Sequence, residues 1–233
     1  MRLLGVLGGM SWTSTETYYR LLNTGISDRL GRLHSARLVL HSVDFDEIAV
    51  RQHAGDWEGT AQILSGAAAG LAAAGAEGLL LATNTMHRVA DEVQEACGLE
   101  LLHIADATAD AITAQGLTRV GLLATAFTME DTFYIERLAR HGIEALVPDV
   151  VGRADVHRII YDELVRDVVR PESRERYRRV MADLVDRGAE GMILGCTEVG
   201  LLVGQDDTTV PTFDTCRLHA AAAVDWMLAG GSA

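Results

Sequence analysis

The sequence has no run of about 20 consecutive apolar residues, so no membrane-spanning helix is expected. The opening stretch Met1-Arg2-Leu3-Leu4-Gly5-Val6-Leu7-Gly8-Gly9 is too short an apolar core for a secretory leader, and reads as a strand running into a polar loop. Cysteine is scarce: Cys97, Cys196 and Cys216 are too few and too scattered for a disulfide framework or a thiolate metal site. Their odd number fits a reducing compartment, so a cytoplasmic location is expected. No spacing of His, Asp and Glu resembles a metal site, and no metal or other cofactor is expected. The first glycine-rich loop does not match G-x-G-x-x-G, and G-x-x-x-x-G-K-[ST] is absent, which argues against dinucleotide and P-loop sites. A formal net charge of −13 provides no basic footprint for nucleic acid or an anionic membrane. A small-molecule ligand is left as the expected partner.

What is present is ordinary for a soluble protein with a real core. The 233 residues are 48% hydrophobic and 23% charged, enough for one large or two small domains. Short apolar runs alternate with stretches of helical period, the pattern of an α/β protein with mostly parallel sheets. Strands are expected near 3–8, 37–42, 78–82, 100–104, 119–124, 144–147, 191–195 and 209–213. Helices are expected over 13–28, 57–74, 86–96, 130–141, 155–168, 172–187 and 214–228. Several of the strands are unbroken apolar runs, as expected where helices cover both faces of a sheet.

An internal repeat organises these elements. Gly75-Ala76-Glu77-Gly78-Leu79-Leu80-Leu81-Ala82-Thr83-Asn84-Thr85 aligns with Gly188-Ala189-Glu190-Gly191-Met192-Ile193-Leu194-Gly195-Cys196-Thr197-Glu198, at an offset of 113 residues. Gly5-Val6-Leu7 and Glu16-Thr17-Tyr18-Tyr19 align with Gly121-Leu122-Leu123 and Asp131-Thr132-Phe133-Tyr134, at offsets of 116 and 115. A weaker echo relates Asp106 to Asp214. Two matches at nearly one spacing predict a duplicated α/β unit: two pseudo-symmetric, flavodoxin-like lobes. Residues 1–100 with 209–233 are expected to form one lobe and 101–208 the other, with a site in the cleft between them. Ligands of open α/β sheets bind at the carboxyl ends of strands, which is where Thr83 and Cys196 stand.

Cys196 is the leading candidate for chemistry. The glycine before it is expected to let the chain turn sharply, and a helix start beyond it to lower the thiol pKa below about 8.5. Such a thiolate serves as nucleophile or general base; the competing role is a small buried core residue. Thr83 either caps a helix or supplies a hydroxyl opposite Cys196. Its hydroxyl is too weak an acid to be an equivalent base, but it can donate a hydrogen bond and relay a proton. Asn84, Thr85 and Thr197, with Met10 and Ser11 in the loop after the first strand, bring amides together in a way that suits a carboxylate. Gln52, Arg51 and Arg166 are candidates for holding a second carboxylate. His87 reads as capping, packing or proton transfer, Cys97 as structural, and Cys216 as a weak second thiol candidate. The run Arg170–Arg179 reads as a solvated helix face with i,i+4 pairs.

Gly8-Gly9-Met10-Ser11-Trp12 with Ser14-Thr15, Thr83-Asn84-Thr85-Met86-His87, and Gly195-Cys196-Thr197-Glu198 together resemble the aspartate/glutamate racemase family over almost the whole chain. Glu198 replaces the histidine usual in glutamate racemases, and this favours the aspartate-racemase branch. The resemblance implies a two-lobed, pyridoxal-independent, generally dimeric enzyme in which two cysteines flank the substrate α-carbon. Cys196 matches the second of these and Glu198 falls within the substrate-binding motif. Thr83 stands in place of the first cysteine. The resemblance thus implies an isomerase acting on L-aspartate or L-glutamate, with the D-to-L direction impaired. Alternatives that keep the fold are a single-cysteine decarboxylase or isomerase of small dicarboxylic acids; a third is a non-catalytic amino-acid-binding protein.

Overall fold

In the computed structural model, which describes residues 1–229, the apolar runs become two four-stranded, all-parallel sheets. The first unit spans Met1–His103 and resumes at His219. Its elements are β1 (Leu4–Gly8), α1 (Trp12–Leu30), β2 (Leu38–Ser42), α2 (Phe45–Ala54), α3 (Trp57–Ala73), β3 (Gly78–Leu81), a 3-10 turn (Thr85–Val89), α4 (Ala90–Cys97) and β4 (Glu100–Leu102). The strand order is β2-β1-β3-β4, with Leu4 opposite both Leu38 and Gly78. β1 and β3 are buried along their whole length, because parallel strands are covered on both faces. α3 packs Ala61, Leu64, Ala67, Ala68 and Leu71 against the sheet, the i, i+3, i+4 stripe that its sequence carries. Each fully buried leucine here stabilises the unit by about 2 kcal/mol.

The second unit, Ile104–Leu218, repeats the plan. It contains α5 (Ile104–Thr113), β5 (Arg119–Leu123), α6 (Ala126–Met129), α7 (Thr132–Arg140), β6 (Glu144–Leu146), α8 (Val150–Asp162), α9 (Pro171–Asp186), β7 (Met192–Leu194), α10 (Val199–Leu202), β8 (Thr212–Asp214) and the first residues of α11 (Thr215–Ala229). Its strand order, β6-β5-β7-β8, is that of the first sheet, as the repeat predicts. One expectation needs correcting. The last strand does not join the first lobe: β8 pairs with β7, Phe213 opposite Ile193, so the chain leaves the second unit after Leu218 and not near 208. Phe213 belongs to the second hydrophobic core, and that burial fixes the strand there.

In each sheet the chain runs from its first strand to one neighbour, then crosses to the strand on the other side. The crossover leaves a switch point at the carboxyl ends of β1 and β3, and another at those of β5 and β7. Loops diverge at such points and leave a crevice for ligands. Thr83 lies two residues beyond β3 and Cys196 two residues beyond β7.

Candidate active site

In the first unit the loop after β1 is shaped by two glycines. Gly9 has φ 94°, a region that side chains avoid, and an added Cβ would run into the Val43 carbonyl. At Gly8 a Cβ would lie 2.5 Å from the Thr15 side chain, which instead accepts a hydrogen bond from the Gly9 N–H at 2.8 Å. Ser11 then caps α1 by accepting from Ser14 N at 3.2 Å. Ser14 in turn donates to the Ala82 carbonyl at 3.3 Å, tying this loop to the one after β3. Met10, Ser11, Asn84 and Thr85 are buried, while Thr83 stays partly exposed. The structure thus brings Met10, Ser11, Thr83, Asn84 and Thr85 to one switch point. Gln52, on the inward face of α2, is 3% exposed, and its side-chain amide has no hydrogen-bond partner among the described residues.

Cys196 and Glu198 mark the equivalent point of the second unit. The Cys196 thiol donates to Glu198 Oε2 at 2.9 Å. Glu198 is buried, while Cys196 and Thr197 keep part of their surface. Burial and then the Glu198 carboxylate push the Cys196 thiol well above its ordinary range. This reverses the expected direction. The helix start meant to stabilise a thiolate is the single turn of α10, four residues long, and a carboxylate occupies its approach. Gly195 also has a different job from the one expected. Its φ is not positive; a Cβ there would meet Ala124 Cβ at 3.0 Å, so glycine permits close approach to the end of β5. Beneath the thiol, buried Tyr177 donates to the Val156 carbonyl at 3.3 Å, and its phenol is pushed well above its usual range by burial, with Cys196 and Glu163 adding to the effect.

The remaining candidates fall into place individually. Arg51 is held by Asp56 at 2.6 Å, beside a surface hollow of about 380 Å³ bordered by Glu47, Val50 and Ala54. Arg166 is exposed at the end of a 3-10 turn, Leu164–Arg166. Cys216 is buried in the first turn of α11 and Cys97 ends α4 with its thiol directed to the Gln94 carbonyl. Asp106 is gripped by Arg137 at 2.6 and 2.7 Å and faces His141 at 3.0 Å. The arginine run is more than a solvated face. Arg174 and Arg178 both bind Asp207, whose side chain is 1% exposed, and together with the Gly204 N–H they hold its carboxyl down at about 2. Among the described residues no group of three His, Cys, Asp or Glu side chains could hold a metal ion, and no helix is long and apolar enough to cross a membrane.

Sequence spacing gave no sign of one cluster. Behind Thr83, His87 stacks against His103 and His219 at ring-centroid distances of 4.6 and 5.7 Å, and Tyr18 reaches His219 Nδ1 at 2.9 Å. These residues come from α1, the 3-10 turn after β3, the residue after β4 and α11, so no local period links them.

Comparison with known proteins agrees with the geometry. The family model described as Asp/Glu/Hydantoin racemase matches residues 7–223. A crystal structure from Yersinia pestis, described as a candidate Asp/Glu racemase, is 52% identical, covers 98% of this chain and 100% of its own, and superposes with a TM-score of 0.93. An aspartate racemase homologue from Pyrococcus horikoshii OT3 is 34% identical over 97% of this chain and 99% of its own, with a TM-score of 0.84. An uncharacterised protein of the pnlA 3' region in Pectobacterium carotovorum subsp. carotovorum is 33% identical over 52% of this chain and 79% of its own length.

Proposed function

The chain belongs to the Asp/Glu/Hydantoin racemase family, and on that premise we propose that it inverts the α-carbon of L-aspartate or L-glutamate, with Cys196 as the base. The observation that carries this reading is the Cys196 thiol hydrogen-bonded to Glu198 at a switch-point loop. In the proposed cycle the thiol proton passes to the Glu198 carboxylate, leaving a thiolate and a neutral acid. The thiolate removes the α-proton of the L-amino acid as general base. The developing enediolate charge and the α-carboxylate are met by N–H groups of Met10, Ser11, Asn84, Thr85 and Thr197. A proton then reaches the opposite face from solvent through the Thr83 hydroxyl, and Glu198 releases its proton to solvent to reset the pair. Because the two enantiomers have equal free energy, the weak acidity of that hydroxyl slows inversion in both directions alike. Gln52, buried with an uncommitted amide, is assigned to the substrate side chain.

The same reading takes the enzyme to be a cytoplasmic homodimer working without pyridoxal phosphate. In support, the sequence contains no lysine, the residue whose amine would hold that cofactor as a Schiff base. The deciding experiment follows the α-proton of L-aspartate in heavy water by NMR. Exchange with inversion is expected from the native protein and none from Cys196→Ala; exchange that survives this substitution removes Cys196 from its role. Binding of L-aspartate without any exchange would instead mark a non-catalytic binding protein.

A further inference from the structure

The carbonyl of Thr83 and the N–H of Asn84 are opposite ends of one planar, trans peptide group, so whatever holds the carbonyl also aims the N–H. His87 holds it: its Nδ1 lies 2.8 Å from the Thr83 oxygen, and its own backbone N–H donates to the Asn84 carbonyl at 3.1 Å. We propose that His87 is a positioning residue, fixing the Thr83–Asn84 peptide plane so that the Asn84 N–H points at the substrate carboxylate. This inference rests on the proposed function for its substrate, but the geometry that motivates it lies wholly in the first unit.

The ring that does the holding is itself fixed from behind. A carbonyl can only accept, so the contact from His219 Nε2 to the Leu102 oxygen, 2.7 Å, puts the hydrogen on Nε2. Nδ1 of a neutral His219 is then bare and accepts from Tyr18. The same logic puts the hydrogen of His87 on Nδ1. Burial and then the neighbouring His103 hold His87 well below its usual range, and burial and then His87 hold His219 down at about 3, so both rings are neutral. His87 packs edgewise on His219 and tilts over His103, so two neighbouring rings flank it. Tyr18, His219 and Leu102 thereby act as a brace for a turn that begins two residues after the candidate hydroxyl.

Asparagine and glutamine separate positioning from packing. In a His87→Asn variant the new side-chain N–H sits near the place of Nδ1, whereas in a His87→Gln variant the longer amide reaches toward the place of Nε2. His87→Gln and His87→Leu are expected to lower kcat for L-aspartate exchange about tenfold or more and to raise KM, while His87→Asn restores most of both. A purely structural histidine predicts lower melting temperatures with unchanged kcat and KM in the folded fraction, or equal losses in the Asn and Gln variants; either result overturns the proposal. Imidazole nitrogen NMR of the native protein gives a reading independent of folding, with a protonated His87 Nδ1 expected and a bare one decisive against. If the native protein exchanges no amino acid, the proposed function fails while the nitrogen assignment can still be made.

Discussion

The Cys196 thiol and the Glu198 carboxylate sit 2.9 Å apart, sulfur to oxygen, so the candidate base rests protonated beside a group able to take its proton. That pairing separates reactivity from catalysis. In Glu198→Gln the negative charge and the accepting oxygen that raise the thiol pKa are weakened, and the midpoint for alkylation of Cys196 by iodoacetamide should move to lower pH. Exchange of the L-aspartate α-proton should nevertheless fall, by about 100-fold, because the proton acceptor is gone. A variant that alkylates more readily and also exchanges faster would show that Glu198 merely suppresses the thiol.

Thr83 should govern inversion and leave exchange alone. With Thr83→Val, the Cys196 thiolate still removes the α-proton of an L-substrate and returns a solvent-derived deuteron to the same face. Isotope washout should therefore persist while racemisation, followed by chiral chromatography, drops at least tenfold. Thr83→Cys should raise racemisation of L- and D-aspartate alike, since a second thiol can serve as base on that face. Loss of washout in Thr83→Val would place the hydroxyl in the first proton transfer.

Acid should loosen the first unit well before general acid denaturation. His219 is neutral down to about 3 in the folded chain but takes a proton near 6.5 when unfolded. Its contribution is whole above pH 6.5 and drains away as pH falls from there toward 3. One such group gives a slope of about 1.4 kcal/mol per pH unit. Asp207 adds a later loss, between about 4 and about 2, as its carboxylate gains the proton that the arginines exclude. Urea unfolding at pH 7, 6, 5 and 4 should show the first decline, and it should become shallower in His219→Gln measured against that variant's own pH 7 value, with buried His87 carrying the remainder.

Gly9→Ala should be severe for so small a change. The backbone there is left-handed, and the new methyl meets a carbonyl oxygen, a neighbour that cannot swing aside. A loss of about 2 kcal/mol or more is expected, seen as a lowered melting temperature. Gly66→Ala, mid-helix in α3 with open space around it, is the matched control and should be neutral or stabilising.

The sequence carried most of the architecture because parallel strands declare themselves as unbroken apolar runs. All eight expected strands appear within a few residues of their places, and the repeat foretold the shared strand order. α5 is not among the expected helices although it buries Ile104, Ala105, Ala109 and Ile112, because it follows β4 with only His103 between them; two further misses have little apolar signal. α2 buries only Ile48 and Gln52, and the start of α8 exposes Val150 and Val151 around Gly152. α8 also stops at Asp162, short of the expected 168, where the chain passes through a 3-10 turn to Asp167 at φ 58°. At the site, the motif residues were readable but their electrostatics were not. Residues two apart do not face one another on a helix, so nothing in the spacing tells that Glu198 folds back onto Cys196. Likewise, the brace behind Thr83 joins positions 18, 87, 103 and 219, which only the folded sheet assembles.

Because Thr83 and Cys196 both stand outside the hydrogen-bonded ladders, beyond strands whose pairing is already complete, the letter at neither position is fixed by sheet pairing. The chemistry at either crevice is therefore open to change one side chain at a time, with the strand pairing beneath it left as it is.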